Sequence, residues 1–214
     1  ATEGAVDESL RHAITKLSHL HFVSTDAYGR RVRQMGEPAD RVFVTGAPAL
    51  DHLARFEPLP DSALMPGLGI DLARPFAVAT YHPVTLAADL GRAGLDAMLQ
   101  AIAAIRLPTV ITYPNADAGG RGFIGVLRTF AAEHDHVHLV ANLGARAYFS
   151  LLSRAVAVIG NSSSGIIEAA SFRLPVVNIG PRQDGRVRAR NVIDVGESPD
   201  AVGAALARAM SPAF

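Results

Sequence analysis

Residues 156–168 read Val156-Ala157-Val158-Ile159-Gly160-Asn161-Ser162-Ser163-Ser164-Gly165-Ile166-Ile167-Glu168. Four apolar, mostly β-branched residues form a strand. They run into a turn of small residues, and a helix follows over 164–172. The same rhythm repeats on both sides. Strands are expected at 76–80, 109–112, 137–140, 175–179 and 192–195. Helices are expected at 86–106, 120–133, 145–154 and 199–210. Short apolar strands alternating with helices indicate a parallel sheet covered on both faces. The fold class is therefore α/β, a doubly wound, Rossmann-like unit. Such sheets bind ligands outside the carboxyl ends of their strands, so the residues just after each strand carry the functional question.

The first quarter of the chain shows the same alternation in miniature. A helix spans 6–20, with Leu10, Ile14 and Leu17 on one face. A strand follows at 21–24, then a helix capped by Asp26 and ending near Gly36, then a strand at 41–44. Two strands are too few to close a sheet, and this part reads as the end of a second, truncated Rossmann-like domain. Pro58, Pro60, Pro66 and Pro75 cluster with Gly67 and Gly69, so 58–74 reads as a linker or long loop. The expected organisation is 1–57, linker 58–74, and a nucleotide-binding unit at 75–214.

Composition narrows the classes of function. The 214 residues are 49% hydrophobic, enough for a sizeable core, and Lys+Arg and Asp+Glu are 20 each. No net charge draws the chain to nucleic acid or to a membrane surface. No apolar run reaches the roughly 18 residues of a membrane span. Cysteine is absent, which excludes a disulfide scaffold, Cys-ligated zinc and a Cys nucleophile. With no signal peptide in view, a cytoplasmic location is expected.

The turn at 160–165 offers backbone N–H groups and three hydroxyls at a helix start, and a phosphate is their natural ligand. Glu168, one helical turn further, is placed to accept bonds from vicinal ribose hydroxyls. The same residues also read as a plain serine cap with a surface Glu. Arg182, Arg186, Arg188 and Arg190 follow a strand as a local basic loop, suited to a phosphate clamp or simply solvated. His82 follows the strand at 76–80 and is a candidate acid, base or phosphate ligand. Asn115 and Asp117 follow the strand at 109–112, facing a ligand or capping the next helix. His134, His136 and His138 alternate as a metal site would, but a helix end entering a strand explains them better, and no metal is expected. Asp7 and Arg11 in the first helix fit dipole and i,i+4 pairing.

Five stretches together resemble the UDP-N-acetylglucosamine 2-epimerase family, and within it the hydrolysing, sialic-acid-pathway branch. They are residues 2–17 (TEGAVDESLRHAITKL), 81–85 (YHPVT), 113–119 (YPNADAG), 160–168 (GNSSSGIIE) and 178–183 (NIGPRQ). They stand in the family's order and cover nearly the whole chain. The resemblance implies a GT-B-like fold with the active site between two domains, no cofactor, and a homodimer. It implies that the family's first sheet and two catalytic carboxylates precede Ala1. By the resemblance, Asp7 and His82 are catalytic. Ser162 and Ser163 bind phosphate, Glu168 binds ribose, Arg182 binds the nucleotide, the Leu143 backbone meets uracil, and Asn161 shapes the turn. Arg11, Asn115 and Asp117 are secondary. The implied reaction converts UDP-N-acetylglucosamine and water to N-acetylmannosamine and UDP. A non-hydrolysing epimerase, a hydrolysing enzyme for UDP-N,N'-diacetylbacillosamine and a non-catalytic UDP-binding module are the alternatives.

Overall fold

The computed structural model describes residues 6–116 and 119–214. The chain opens with α1 (Val6–Leu17), β1 (His21–Val23), α2 (Asp26–Gln34) and β2 (Val42–Val44), the two strands pairing in parallel. Thr25, not Asp26, caps α2, its hydroxyl accepting the Tyr28 N–H at 3.3 Å. The cap needs an extended residue just outside the helix, and Asp26 is already helical. In the described part of 6–55 only His21, Gly29 and Val42 are buried. Leu10, Ile14 and Leu17 face solvent, and Phe22 stacks on Phe43 at 5.5 Å in the open.

The proline-rich segment is not loop throughout. Its middle forms α3 (Asp61–Leu68). Pro58 and Pro60 lie before the helix, where a missing N–H costs nothing, and Leu64 and Leu68, four residues apart, bury one face. Leu59 N–H donates to the Ser150 hydroxyl at 2.9 Å, Arg154 donates to the Leu59 carbonyl at 2.8 Å, and Arg154 pairs with Asp61.

The main body comprises β3 (Ala77–Thr80), α4 (Arg92–Ile105), β4 (Thr109–Thr112), α5 (Gly120–Glu133), β5 (Val137–Val140), α6 (Gly144–Leu152), β6 (Ala157–Gly160), α7 (Ser163–Ile167), β7 (Val176–Ile179), β8 (Val192–Val195) and α8 (Pro199–Ala209). Helix α4 starts six residues later than expected. The Asp89 carboxylate accepts the N–H groups of Gly91 and Ala93 at 2.9 and 3.0 Å and holds a turn before it. Those backbone bonds lower the Asp89 pKa.

Six parallel strands form one sheet in the order β5-β4-β3-β6-β7-β8. The chain steps outward from β3 through β4 to β5, then returns to lay β6 on the other flank of β3. The order reverses between β3 and β6, and a crevice opens at such a point. Strand residues alternate between two cores. Ala77, Ala79 and Ile111 join Leu95, Met98, Ile102, Leu127 and Leu206 under α4, α5 and α8. Val78, Val110 and Val158 join Leu64, Phe149 and Leu152 under α3 and α6.

Gly160 closes β6 at φ +124°, and a Cβ there would run into the Thr80 carbonyl oxygen. Gly203 lies inside α8 with nothing near a Cβ. Gly160→Ala is therefore expected to lose at least about 2 kcal/mol of unfolding free energy in urea, from strain and backbone shift. Gly203→Ala should gain about 0.5–1 kcal/mol. Equal effects would refute the close approach of β6 to β3.

Candidate functional site

The register sets Thr80 opposite Gly160, so β3 and β6 end level at the reversal. The ladder continues one step, with Asn161 N–H donating to the Thr80 carbonyl at 3.1 Å. The Asn161 side chain then takes over. Its Oδ1 accepts the His82 N–H at 2.7 Å, and its Nδ2 donates to the His82 carbonyl at 2.8 Å. The amide thus acts as an extra strand residue bridging the crevice. Asn161 is fully buried, and its own carbonyl accepts from Gln183 Nε2 at 2.7 Å and Arg182 Nη1 at 3.2 Å. One residue fixes the loops after β3, β6 and β7.

His82 is held from a third side. Asn115 N–H, after β4, donates to His82 Nδ1 at 3.0 Å. A backbone N–H only donates, so Nδ1 carries the lone pair and the neutral ring has its proton on Nε2. The side chain is therefore presented as an N–H donor.

Ser162 caps α7, its Oγ accepting the Ser164 N–H at 3.3 Å. The helix is shorter than expected. It has five residues and gives way at Glu168 to a 3₁₀ turn, Ala169–Phe172. Glu168 is a helix-end residue, not one inside the helix. With so few peptide units aligned, the turn acts through its individual N–H and O–H donors rather than a helix dipole. Ser163 begins α7, where no helix carbonyl reaches its N–H. Glu168 and the three serines are partly exposed.

Sequence reasoning missed Tyr148 on α6. Its hydroxyl donates to Ser164 Oγ at 2.9 Å. Thr80 and Thr112, at the ends of β3 and β4, share a hydrogen bond of 2.5 Å. Burial pushes the Tyr148 phenol up to about 12, opposed by the Ser164 bond and reinforced by the Glu168 charge. No local pattern marks Tyr148, because its partner lies 16 residues away on another element. Gln183 was also missed, and it is fully buried.

The basic loop is less of a clamp than its sequence suggested. Arg188 donates to Asp194 at 2.9 Å, to Asp184 at 3.2 Å and to the Arg186 carbonyl at 2.8 Å, so its charge is spent within the fold. Arg190 is exposed, and Arg182 alone of the four is bonded to the crevice turn by a described hydrogen bond. Leu143 is the residue before α6, with its side chain packed against the α3–α6 core. Arg11 and the backbone of Asp7 lie on α1. Among the described residues no hydrogen bond or ion pair links Arg11 to the crevice. The Asp7 side chain and Asp117 lie outside what is described. His134 and His136 nitrogens bond the carbonyls of Phe130 and Ile102 at 2.9 and 3.2 Å. Burial lowers the His138 pKa, with His136 adding to it. Among the described residues no group of three or more His, Cys, Asp or Glu could hold a metal, and no helix is long and apolar enough to cross a membrane.

A family model described as UDP-N-acetylglucosamine 2-epimerase matches residues 1–213. A UDP-N,N'-diacetylbacillosamine 2-epimerase (hydrolyzing) of Legionella pneumophila is 38% identical over 208 residues, 97% of this chain and 55% of that protein. A GDP/UDP-N,N'-diacetylbacillosamine 2-epimerase (hydrolyzing) of Campylobacter jejuni is 39% identical over 195 residues, 90% of this chain and 51% of that protein. The chain spans about half the length of these curated relatives. A solved UDP-GlcNAc 2-epimerase from Neisseria meningitidis, bound to UDP-GlcNAc, superposes with a TM-score of 0.74 at 18% identity, covering 96% of this chain and 57% of that one. That likeness speaks to the fold, α/β of the GT-B kind.

The raised Tyr148 pKa gives a testable pH dependence. An unfolded tyrosine ionises near 10, the folded one near 12. Between those values the folded state keeps a proton that the unfolded state has lost, so stability falls as pH rises. The Tyr148 contribution is fully present below about pH 10 and gone by about pH 12. Urea unfolding at pH 9 and pH 11 should show Tyr148→Phe losing roughly 1 kcal/mol less than wild type between them. An identical loss in both proteins would place the phenol in water.

Proposed function

Because the chain belongs to the UDP-N-acetylglucosamine 2-epimerase family, we propose that it forms the nucleotide-binding part of a hydrolysing 2-epimerase. Residues 75–214 are the UDP-binding domain, and 1–57 are the end of the sugar-side domain. The single observation that carries the reading is the Asn161 junction. It draws His82, the serine turn and Arg182 together at the carboxyl end of the sheet's reversal point. The substrate is a UDP-linked acetamido sugar. Two relatives at 38% and 39% identity are named for the diacetylbacillosamine nucleotide. This favours a UDP-2,4-diacetamido sugar over the UDP-N-acetylglucosamine that the family resemblance suggested first.

Ser162, Ser163 and Arg182 hold the diphosphate, Glu168 the ribose hydroxyls, and the Leu143 backbone the uracil. In the reaction a base takes the sugar's C2 proton. The C–H electron pair forms the C1–C2 double bond, and the C1–O bond breaks with its pair leaving on UDP. Water then adds its oxygen to C1, and a proton returns to C2 from the opposite face. The leaving diphosphate gains charge as the bond breaks, so donors fixed around it lower the barrier. His82 acts there through Nε2–H, as a donor to the leaving group rather than as the base at C2. Its Nδ1 is already occupied by Asn115 N–H. Asp7 takes part in the proton transfers.

Full-length protein incubated with UDP-N,N'-diacetylbacillosamine should release free UDP and the 2-epimerised sugar, faster than it does from UDP-N-acetylglucosamine. Production of a UDP-linked epimer without free UDP would instead indicate the non-hydrolysing reaction. In calorimetric titrations Glu168→Ala should bind UDP about tenfold more weakly, the loss of charge-assisted bonds to two hydroxyls. Unchanged affinity would remove Glu168 from the ribose. His82→Ala should lower turnover about a hundredfold or more.

A further inference from the structure

We infer that a groove at the amino end of the main sheet, where Arg74, Arg106 and His136 meet, is a second anion site that takes a phosphate group. The nucleotide crevice lies at the other end of the strands, so this site stands or falls independently of it. Three segments that each lead into a strand line a cavity of about 430 Å³. Asp71 and Arg74 come before β3, Arg106 before β4, and Asp135, His136 and His138 at the start of β5. The space admits a phosphate together with a group that carries it.

His136 carries the argument. It is 9% exposed, and its Nε2 lies 3.2 Å from the Ile102 carbonyl oxygen. A carbonyl only accepts, so Nε2 bears a proton. In the neutral ring Nδ1 is then a bare lone pair, and it has no hydrogen-bond partner. The charged group facing it is the Asp135 carboxylate at 3.5 Å, which is another acceptor. Two acceptors set against each other are relieved when Nδ1 takes a proton, and that proton puts a positive charge in the groove. Burial lowers the His138 pKa, and the neighbouring His136 adds to it. An anion between the two rings offsets that repulsion.

The other groups around His136 leave the groove open to an anion. The His134 ring stands edge-on to it at 5.7 Å, with Nδ1 on the Phe130 carbonyl. Asp71 Oδ1 accepts the Ala73 N–H at 3.0 Å. Arg106 and Asp135 pair at 3.1 Å with both side chains exposed, a pairing that an anion displaces at little cost. Arg74 is exposed, and among the described residues no hydrogen bond or ion pair holds it. With neutral histidines the two arginines and two aspartates cancel, and one added proton makes the groove positive. Donors converge from three segments, which suits the three oxygens of a phosphate group better than the two of a carboxylate. A metal ion fits less well, since no three ligating groups converge among the described residues.

The test follows the histidine ring signals by NMR while the chain is titrated with sodium sulfate at pH 6 and pH 8, ionic strength being held with sodium chloride. Sulfate keeps its charge across that range, and inorganic phosphate is the second probe. The His136 and His138 signals should shift together and saturate. Sulfate should bind at least about fivefold more tightly at pH 6 than at pH 8, because binding and His136 protonation are linked. Arg74→Ala should weaken sulfate about fivefold at pH 6 with an unchanged melting temperature. His136→Gln keeps a donor toward Ile102 and should lose the pH dependence. Inorganic phosphate should reproduce the shifts at pH 6. The inference is overturned if the two signals do not saturate, if chloride alone moves them equally, or if only His82 at the crevice responds. Equal affinity at the two pH values, wild-type binding by Arg74→Ala, or signals moved by zinc ions and not by sulfate would also overturn it. Should His136→Gln fail to fold, Arg74→Ala still decides.

Discussion

The structure depends on a pair of hydrogen bonds between the Asn161 side chain and the backbone of His82. Where a parallel sheet reverses its strand order, the chains leaving the two central strands diverge, and their backbone groups lose their ladder partners. Here the divergence is bridged by an amide that presents one donor and one acceptor, as a peptide unit does. Both bonds are short and Asn161 is fully buried, so an apolar substitute would take these partners from the part-buried N–H and carbonyl of His82. That loss is at most about 1–3 kcal/mol for each group. The same bonds that close the sheet also fix the height of His82 against the serine turn. Stability and site geometry are one constraint at this point.

Satisfying a carbonyl or an amide from inside also decides what remains for a ligand. Asn115 occupies the lone pair of His82 Nδ1, Tyr148 donates to Ser164, and Ser162 accepts the Ser164 N–H. In each case an acceptor is filled by the protein. The crevice is biased toward donation, which suits a diphosphate whose charge grows as it departs. The neighbouring arginines follow the opposite course. Arg188 is drawn into Asp184 and Asp194, so the loop's positive charge is concentrated at fewer side chains than its composition implies.

Much of this was legible in the residues. Strands of four or five β-branched and small residues are visible because both sheet faces are buried, and all six main strands fall within a residue of expectation. The turn from Gly160 to Gly165 announced itself because small residues and hydroxyls crowd into one place. What escaped was whatever depends on distant partners. Helix α3 hid behind its prolines, because the leucine spacing that buries it needs α6 to pack against. Helix α7 was read too long, since apolar residues continue past Glu168 while the backbone tightens into a 3₁₀ turn. Tyr148 has no local signature at all, and its hydrogen bond to Ser164 exists only once α6 meets the serine turn. The stripe of Leu10, Ile14 and Leu17 was read correctly as a helix face, yet it stands exposed here, so periodicity named the face without naming its cover.

A crystal structure of the chain with UDP is the most direct test. The account predicts the diphosphate within about 3 Å of the Ser162–Ser163 backbone and hydroxyls, with Arg182 turned to it, Nε2 of His82 facing the crevice, and Glu168 on the ribose. A nucleotide found at another end of the sheet, or a crevice closed over by the Asn161 turn with UDP absent from it, would contradict it.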